Sequence, residues 1–156
     1  MRIRMKKLLL LLLLLPSLTY GDGLPNKSLN PGLLNPNVTI YNMKQTICVP
    51  NYTDTIRPPA SYTNKLKIQQ INQYGYADKN PKNYEEDHLI PLSLGGHPTD
   101  PRNLWPEPRL ISNGAAKKDV FENWAHRAVC SGKIDLQTIQ NYFANDWLAG
   151  YNRYIK

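Results

Sequence analysis

Apolar and polar positions fall into blocks along the chain, and each block predicts a different kind of segment. The longest apolar block is Leu8 to Leu15, eight consecutive leucines behind Arg2, Arg4, Lys6 and Lys7 and ahead of Pro16. A positive flank, a short apolar run, then Thr19 and Gly21 at the −3 and −1 positions have the order of a secretory signal peptide. The run is too short for the roughly 20 residues of a membrane span, so residues 1–21 are read as a cleaved leader. Residues 22–45, rich in Asn, Pro, Gly and Leu without periodicity, predict a flexible N-terminal arm. Order is expected from Thr46-Ile47-Cys48-Val49, giving one domain over 46–156.

Within that domain the spacing predicts a helix from Thr63 to about Tyr74, with Thr63 as N-cap and Gly75 beyond the end. Residues 76–86 read as polar turn material. His88 to Leu94 predicts a first strand, bent or at an edge because of Pro91, and Gly95-Gly96 ends it. Asn103-Leu104-Trp105 predicts a second strand closed by Pro106. From Ala115 to Cys130, Ala116, Val120, Trp124 and Ala128 recur every four residues, with Phe121 and Ala125 beside them, which predicts an amphipathic helix. Ser131-Gly132 stops it. Asp135 caps a last helix carrying Leu136, Ile139, Phe143, Trp147 and Tyr151. The three tryptophans read as core. No internal repeat is evident.

Charge and cysteine content change the picture modestly. The chain is formally +7. Four of its 19 Lys and Arg and none of its 12 Asp and Glu lie in the leader, so the remainder is 15 against 12, or +3. That suits a polyanionic partner without arguing for one. Two cysteines, Cys48 and Cys130, in an exported chain predict a disulfide; the alternative is two buried thiols. In the chain-entropy picture so long a loop is worth on the order of 4–5 kcal/mol. Two cysteines cannot make a four-cysteine zinc site. Asn37-Val38-Thr39 and Asn51-Tyr52-Thr53 match the glycosylation acceptor pattern, which carries no meaning in a bacterial protein.

The order strand, Gly-Gly turn, strand, helix is a ββα unit. Its residues, Asp87-His88-Leu89-Ile90-Pro91-Leu92, then Gly95-Gly96, then Asn103-Leu104-Trp105-Pro106, resemble the core of the HNH, or His-Me finger, nucleases. Thr46-Ile47-Cys48-Val49-Pro50, Lys118-Asp119, Glu122 and Val129-Cys130 are similar to a group of exported bacterial proteins carrying an HNH-like domain. The resemblance implies that His88 is the general base, that Asp87 binds a divalent metal, most simply Mg²⁺ or else Mn²⁺, and that Asn103 fixes the loop positioning His88. The residue types suit phosphodiester hydrolysis: imidazole titrates near neutrality, and carboxylates hold Mg²⁺. Adjacent strand residues point to opposite faces, so Asp87 and His88 converge only if the strand is bent or just beginning.

The third family position, at the start of the helix, departs from the pattern, since no histidine lies between His97 and His126. Asn113 is the first choice for the second metal ligand, with Asp119 and Glu122 in reserve. Arg102 and Lys118, with Lys117 and Arg109, flank the site and are candidates for phosphate contact. His97 is expected to face solvent, and His126 to pair with Glu122 one turn away on the helix surface. The expectation is therefore an α+β domain with a ββα-metal core, flanking helices and one disulfide. Its expected activity is metal-dependent endonucleolytic cleavage of DNA or RNA with low sequence specificity, by a secreted or periplasmic monomer that is free of the membrane once processed. The alternative is a catalytically silent HNH-fold module that binds an extracellular polymer.

Overall fold

The computed structural model describes residues 23–156, so the leader expected over 1–21 lies outside the described residues. The elements in chain order are α1 (Tyr52–Ile56), α2 (Ala60–Gln73), β1 (Tyr84–His88), β2 (Leu104–Pro108), α3 (Ala115–Cys130), α4 (Leu136–Asn145) and α5 (Trp147–Tyr154). The strands pair antiparallel, from Tyr84 opposite Pro108 to His88 opposite Leu104. This is an α+β architecture. Among the described residues, no helix is long and apolar enough to cross a membrane.

Both strands are displaced from their predicted places. β1 ends at His88 instead of beginning there. The apolar run that follows is a buried bend and a 3₁₀ turn (Leu92–Leu94), not a strand. Leu89, Ile90, Leu92 and Leu94 are all at most 3 % exposed, so the run fills the core rather than alternating between two faces. Tyr84-Glu85-Glu86, which reads as turn, is a strand because its backbone pairs with β2. β2 runs through Pro106. The inter-strand bonds Leu89 N–H to Asn103 O and Arg109 N–H to Asn83 O place the hydrogen-bonded positions at odd residues. Pro106 thus lacks an N–H only where the ladder needs none.

The segment before residue 46 is packed, which corrects the expected flexible arm. Gly32 N–H bonds to Arg102 O at 3.1 Å, Asn35 N–H to Gly95 O at 2.9 Å, and His97 N–H to Leu33 O at 2.8 Å. The side-chain amide of Asn30 donates to Pro101 O at 2.7 Å and Leu104 O at 2.6 Å. The segment therefore lies along residues 95–104 like an added strand. It carries no apolar period because its anchors are asparagine amides.

The helices form the larger core. α2 begins at Ala60, after Pro58-Pro59, three residues before the predicted cap Thr63. On α3 the buried residues are Ala115, Lys118, Phe121, Ala125, Ala128 and Val129. Of the predicted face, Ala128 and the flanking Phe121 and Ala125 are buried, whereas Ala116 is exposed and Val120 is 49 % exposed, so the buried stripe is centred on Phe121 and Ala125. Phe121 stacks on Phe143 of α4 with centroids 4.7 Å apart. The predicted last helix is two. Asp135 caps α4 through Thr138 N–H, and Asp146 breaks the helix and caps α5 through Ala149 N–H. Cys48 and Cys130 are joined, their Cα atoms 5.5 Å apart, tying the N-terminal third to the end of α3 as expected.

Candidate functional site

His88, the last residue of β1, is 6 % exposed. Its Nε2 lies 2.8 Å from the carbonyl oxygen of Pro98. A carbonyl only accepts, so Nε2 carries the proton, and the lone pair of the neutral ring is on Nδ1. Burial pulls the imidazole below its ordinary pKa. The Pro98 bond and the Asp87 charge oppose this, while Lys118 and Arg57 reinforce it. At neutral pH the ring is neutral and oriented, the state a base requires.

The loop that offers Pro98 is held by Asn103, which is fully buried. Its side-chain oxygen accepts from Ile90 N–H at 3.0 Å and Leu33 N–H at 3.3 Å. Its side-chain nitrogen donates to Ile90 O and His97 O, each at 3.0 Å. One amide thus spans both ends of the 90–97 loop and ties in the N-terminal segment. The fit admits no side chain at position 96, where a Cβ on Gly96 would lie 1.7 Å from Ile90 O and 2.8 Å from the Asn103 amide nitrogen. His97 is absorbed by the same loop, its Nδ1 accepting from Asp100 N–H at 3.0 Å and Thr99 N–H at 3.3 Å.

Asp87 leaves the strand on the opposite face, toward α3. Its carboxylate accepts from Lys118 Nζ at 2.5 Å. Lys118 is completely buried and also donates to His88 O at 2.9 Å, with the face of the Phe143 ring 5.4 Å away. Glu107, on β2, is also completely buried. No nitrogen or hydroxyl donor among the described residues reaches either of its oxygens. Burial pushes the Glu107 carboxyl well above the ordinary range, against the pull of Lys118 and with the push of Asp87. In its neutral form Glu107 is a hydrogen-bond partner of Asp87. Burial raises Asp87 in turn, but the Lys118 ammonium, aided by His88 and Glu107, outweighs it and holds Asp87 below the carboxylate norm. Burial also raises Glu122, whose oxygen accepts from Ser93 Oγ at 3.0 Å.

The sequence-predicted residues thus divide. His88 and Asn103 share one loop. Asp87 faces away from His88, because the strand is regular up to its end. Asn113 does not join Asp87; its side-chain oxygen accepts from Lys117 Nζ at 2.7 Å. Lys118 is not a surface phosphate contact but an internal cation. Arg102 is exposed, but its guanidinium is held by Asp100 at 2.7 Å. His126 bonds to Ile47 O at 2.8 Å rather than to Glu122. Among the described residues no three His, Cys, Asp or Glu are grouped to hold a metal ion. The resemblance implies a divalent metal at Asp87, and the residues do not fit one there, since an ammonium already neutralises that carboxylate.

Sequence reasoning missed Glu107, Glu86 and Arg57. Burial and the nearby Asp87 push Glu86 up to about 8, against the pull of Lys67, and its two oxygens are buried without partners. Glutamates in a five-residue polar string carry no local sign that they will be buried. Arg57 is exposed at the end of α1, and its charge reaches His88. Comparison of the chain with protein-family models, with curated proteins and with solved structures gives no match.

Proposed function

We propose that this chain is an exported nuclease that cleaves phosphodiester bonds with His88 as general base, on a core akin to the ββα nucleases. The observation that carries the reading is the bond from His88 Nε2 to Pro98 O, inside a loop closed by Asn103. It leaves Nδ1 as the basic nitrogen of a neutral, fixed imidazole. The disulfide supports export, as such bonds persist in oxidising compartments.

The metal implied by the resemblance is left out of the reaction, and that favours RNA. A single imidazole most readily activates a nucleophile already held beside the phosphorus, and RNA supplies one in its ribose 2′-OH. Nδ1 takes the 2′-OH proton, and the 2′ oxygen bonds to phosphorus. The 5′ oxygen leaves with the electron pair of the broken P–O bond and is protonated by water, giving a 2′,3′-cyclic phosphate end. Arg57 offers an exposed positive charge for the phosphate.

The test is incubation of the oxidised protein, from about Gly23 onward, with RNA and with plasmid DNA, each with chelator or with Mg²⁺ or Mn²⁺. RNA cleavage to cyclic phosphate ends in chelator is expected. His88→Ala should lower the rate by roughly 10²–10⁴-fold. No cleavage of either polymer under any of these conditions would falsify the proposal and leave a silent binding module.

A further inference from the structure

We infer that Lys118 is a built-in cation: its ammonium fills, from within the fold, the position beside Asp87 and Glu107 where a divalent metal would otherwise bind. The inference does not depend on the proposed activity.

The geometry is that of a cation site. Lys118 Nζ is bonded to the Asp87 carboxylate and to the His88 backbone oxygen at 2.9 Å. Carboxylate and carbonyl oxygens are the ligands a hard cation takes, and Mg²⁺ needs only one or two carboxylates because it keeps several waters. Glu107 supplies a second carboxyl beside Asp87, fully buried and, among the described residues, without a nitrogen or hydroxyl donor. A lysine with no exposed surface is rare unless paired, and here α3 delivers it to the Asp87 carboxylate near the end of β1. A second cation at Asp87 would have to lie against a fully buried ammonium, and like charges at such close range repel. Lysine and divalent metal are thus alternatives for one position. The bond to the His88 carbonyl also ties the cation to the end of β1.

Two expectations follow. The parent protein should show no stoichiometric Mn²⁺ binding by the paramagnetic resonance signal of the free ion, and its thermal midpoint should be the same in chelator and in millimolar Mn²⁺. Lys118→Met keeps the length of the side chain and removes the charge, opening the position. Its midpoint should rise by about 4 °C or more in Mn²⁺, and the rise should vanish in the double variant with Asp87→Asn. Mn²⁺ bound by the parent and lost in Asp87→Asn would overturn the inference, as would a folded Lys118→Met variant with no Asp87-dependent response. If Lys118→Met does not fold, the parent titration with its Asp87→Asn control still decides. An inactive protein that behaves in this way would sink the nuclease proposal alone; an active one that needs Mn²⁺ at Asp87 would sink this inference alone.

Discussion

Two turns launch the two strands, and they are near copies. Asn80-Pro81-Lys82-Asn83 precedes β1, and Asp100-Pro101-Arg102-Asn103 precedes β2. In each, the first side chain accepts from the N–H two residues on, at 3.2 Å for Asn80 and 2.9 Å for Asp100. In each, proline begins a 3₁₀ turn, as its fixed φ favours. In each, the backbone oxygen of the final asparagine accepts from the residue just past the other strand. The ribbon is thus pseudo-symmetric, and the symmetry pairs Asp87 with Glu107. What differs is the last side chain. Asn83 bonds locally, to Asp78 at 2.6 Å. Asn103 is fully buried and bonds across the chain to residues 33, 90 and 97. Local sequence makes the turn; what packs over it makes one asparagine a clamp and leaves the other half-buried with a local partner.

The largest effect should come from breaking that contrast at Asn103. Asn103→Ala strands the Ile90 N–H and O, the His97 O and the Leu33 N–H. Each buried unpaired group costs about 1–3 kcal/mol, and some will find water. A loss of at least about 3 kcal/mol in urea unfolding is expected. Any cleavage activity should fall with it, because Pro98 no longer fixes the His88 ring. A loss below about 1 kcal/mol would mean the loop holds itself.

The same contrast explains what could be read in advance. The bounds of α3 and the cysteine pair were legible because each rests on strong local or compositional signals. The role of Asn103 was legible only through resemblance, since the sequence that surrounds it also surrounds Asn83. The place of β1 was not legible. Glu85, Glu86 and Asp87 have low strand preference, and the strand exists because β2 pairs with it and α3 brings Lys118 to Asp87. The segment before residue 46 looked loose for a related reason: Asn30 anchors it by hydrogen bonds, which leave no periodic trace. Lys118 read as a surface charge because α3 is polar on both sides of it in sequence. Only the rotation of the helix, set by Phe121 and Ala125, turns it inward.

A middle-sized effect should separate the two turns by pH. The cap of the second turn is an acid, and that of the first is an amide. The Arg102 bonds, against the opposing effect of burial, pull Asp100 down to about 2. A carboxyl lowered on folding adds stability above its unfolded pKa, and that stability is lost as pH falls through the folded value. The Asp100 contribution should therefore be complete above about pH 4 and fade toward pH 2. Asp100→Asn keeps the cap but should flatten that part of the stability–pH curve, whereas Asp100→Ala should cost about 1 kcal/mol at neutral pH. An unchanged acid slope in Asp100→Asn would show that the Arg102 pair contributes nothing in solution.

The smallest effect should be at Asn83, and its smallness is the sharpest statement of the comparison. Asn83→Ala removes one half-buried bond to Asp78, a residue that also accepts from Asn80 N–H at 2.8 Å and so keeps a partner. The Arg109 N–H bond to position 83 uses the backbone oxygen and survives the substitution. Water can replace the lost amide. A loss of roughly 0.5 kcal/mol is expected, with no change in the His88 titration followed by proton NMR. In Asn103→Ala, by contrast, the His88 titration should move toward that of a free imidazole as the loop loosens. If Asn83→Ala instead costs as much as Asn103→Ala, or shifts His88, then the first turn is part of the clamp. The site would then depend on the whole ribbon rather than on the one buried amide.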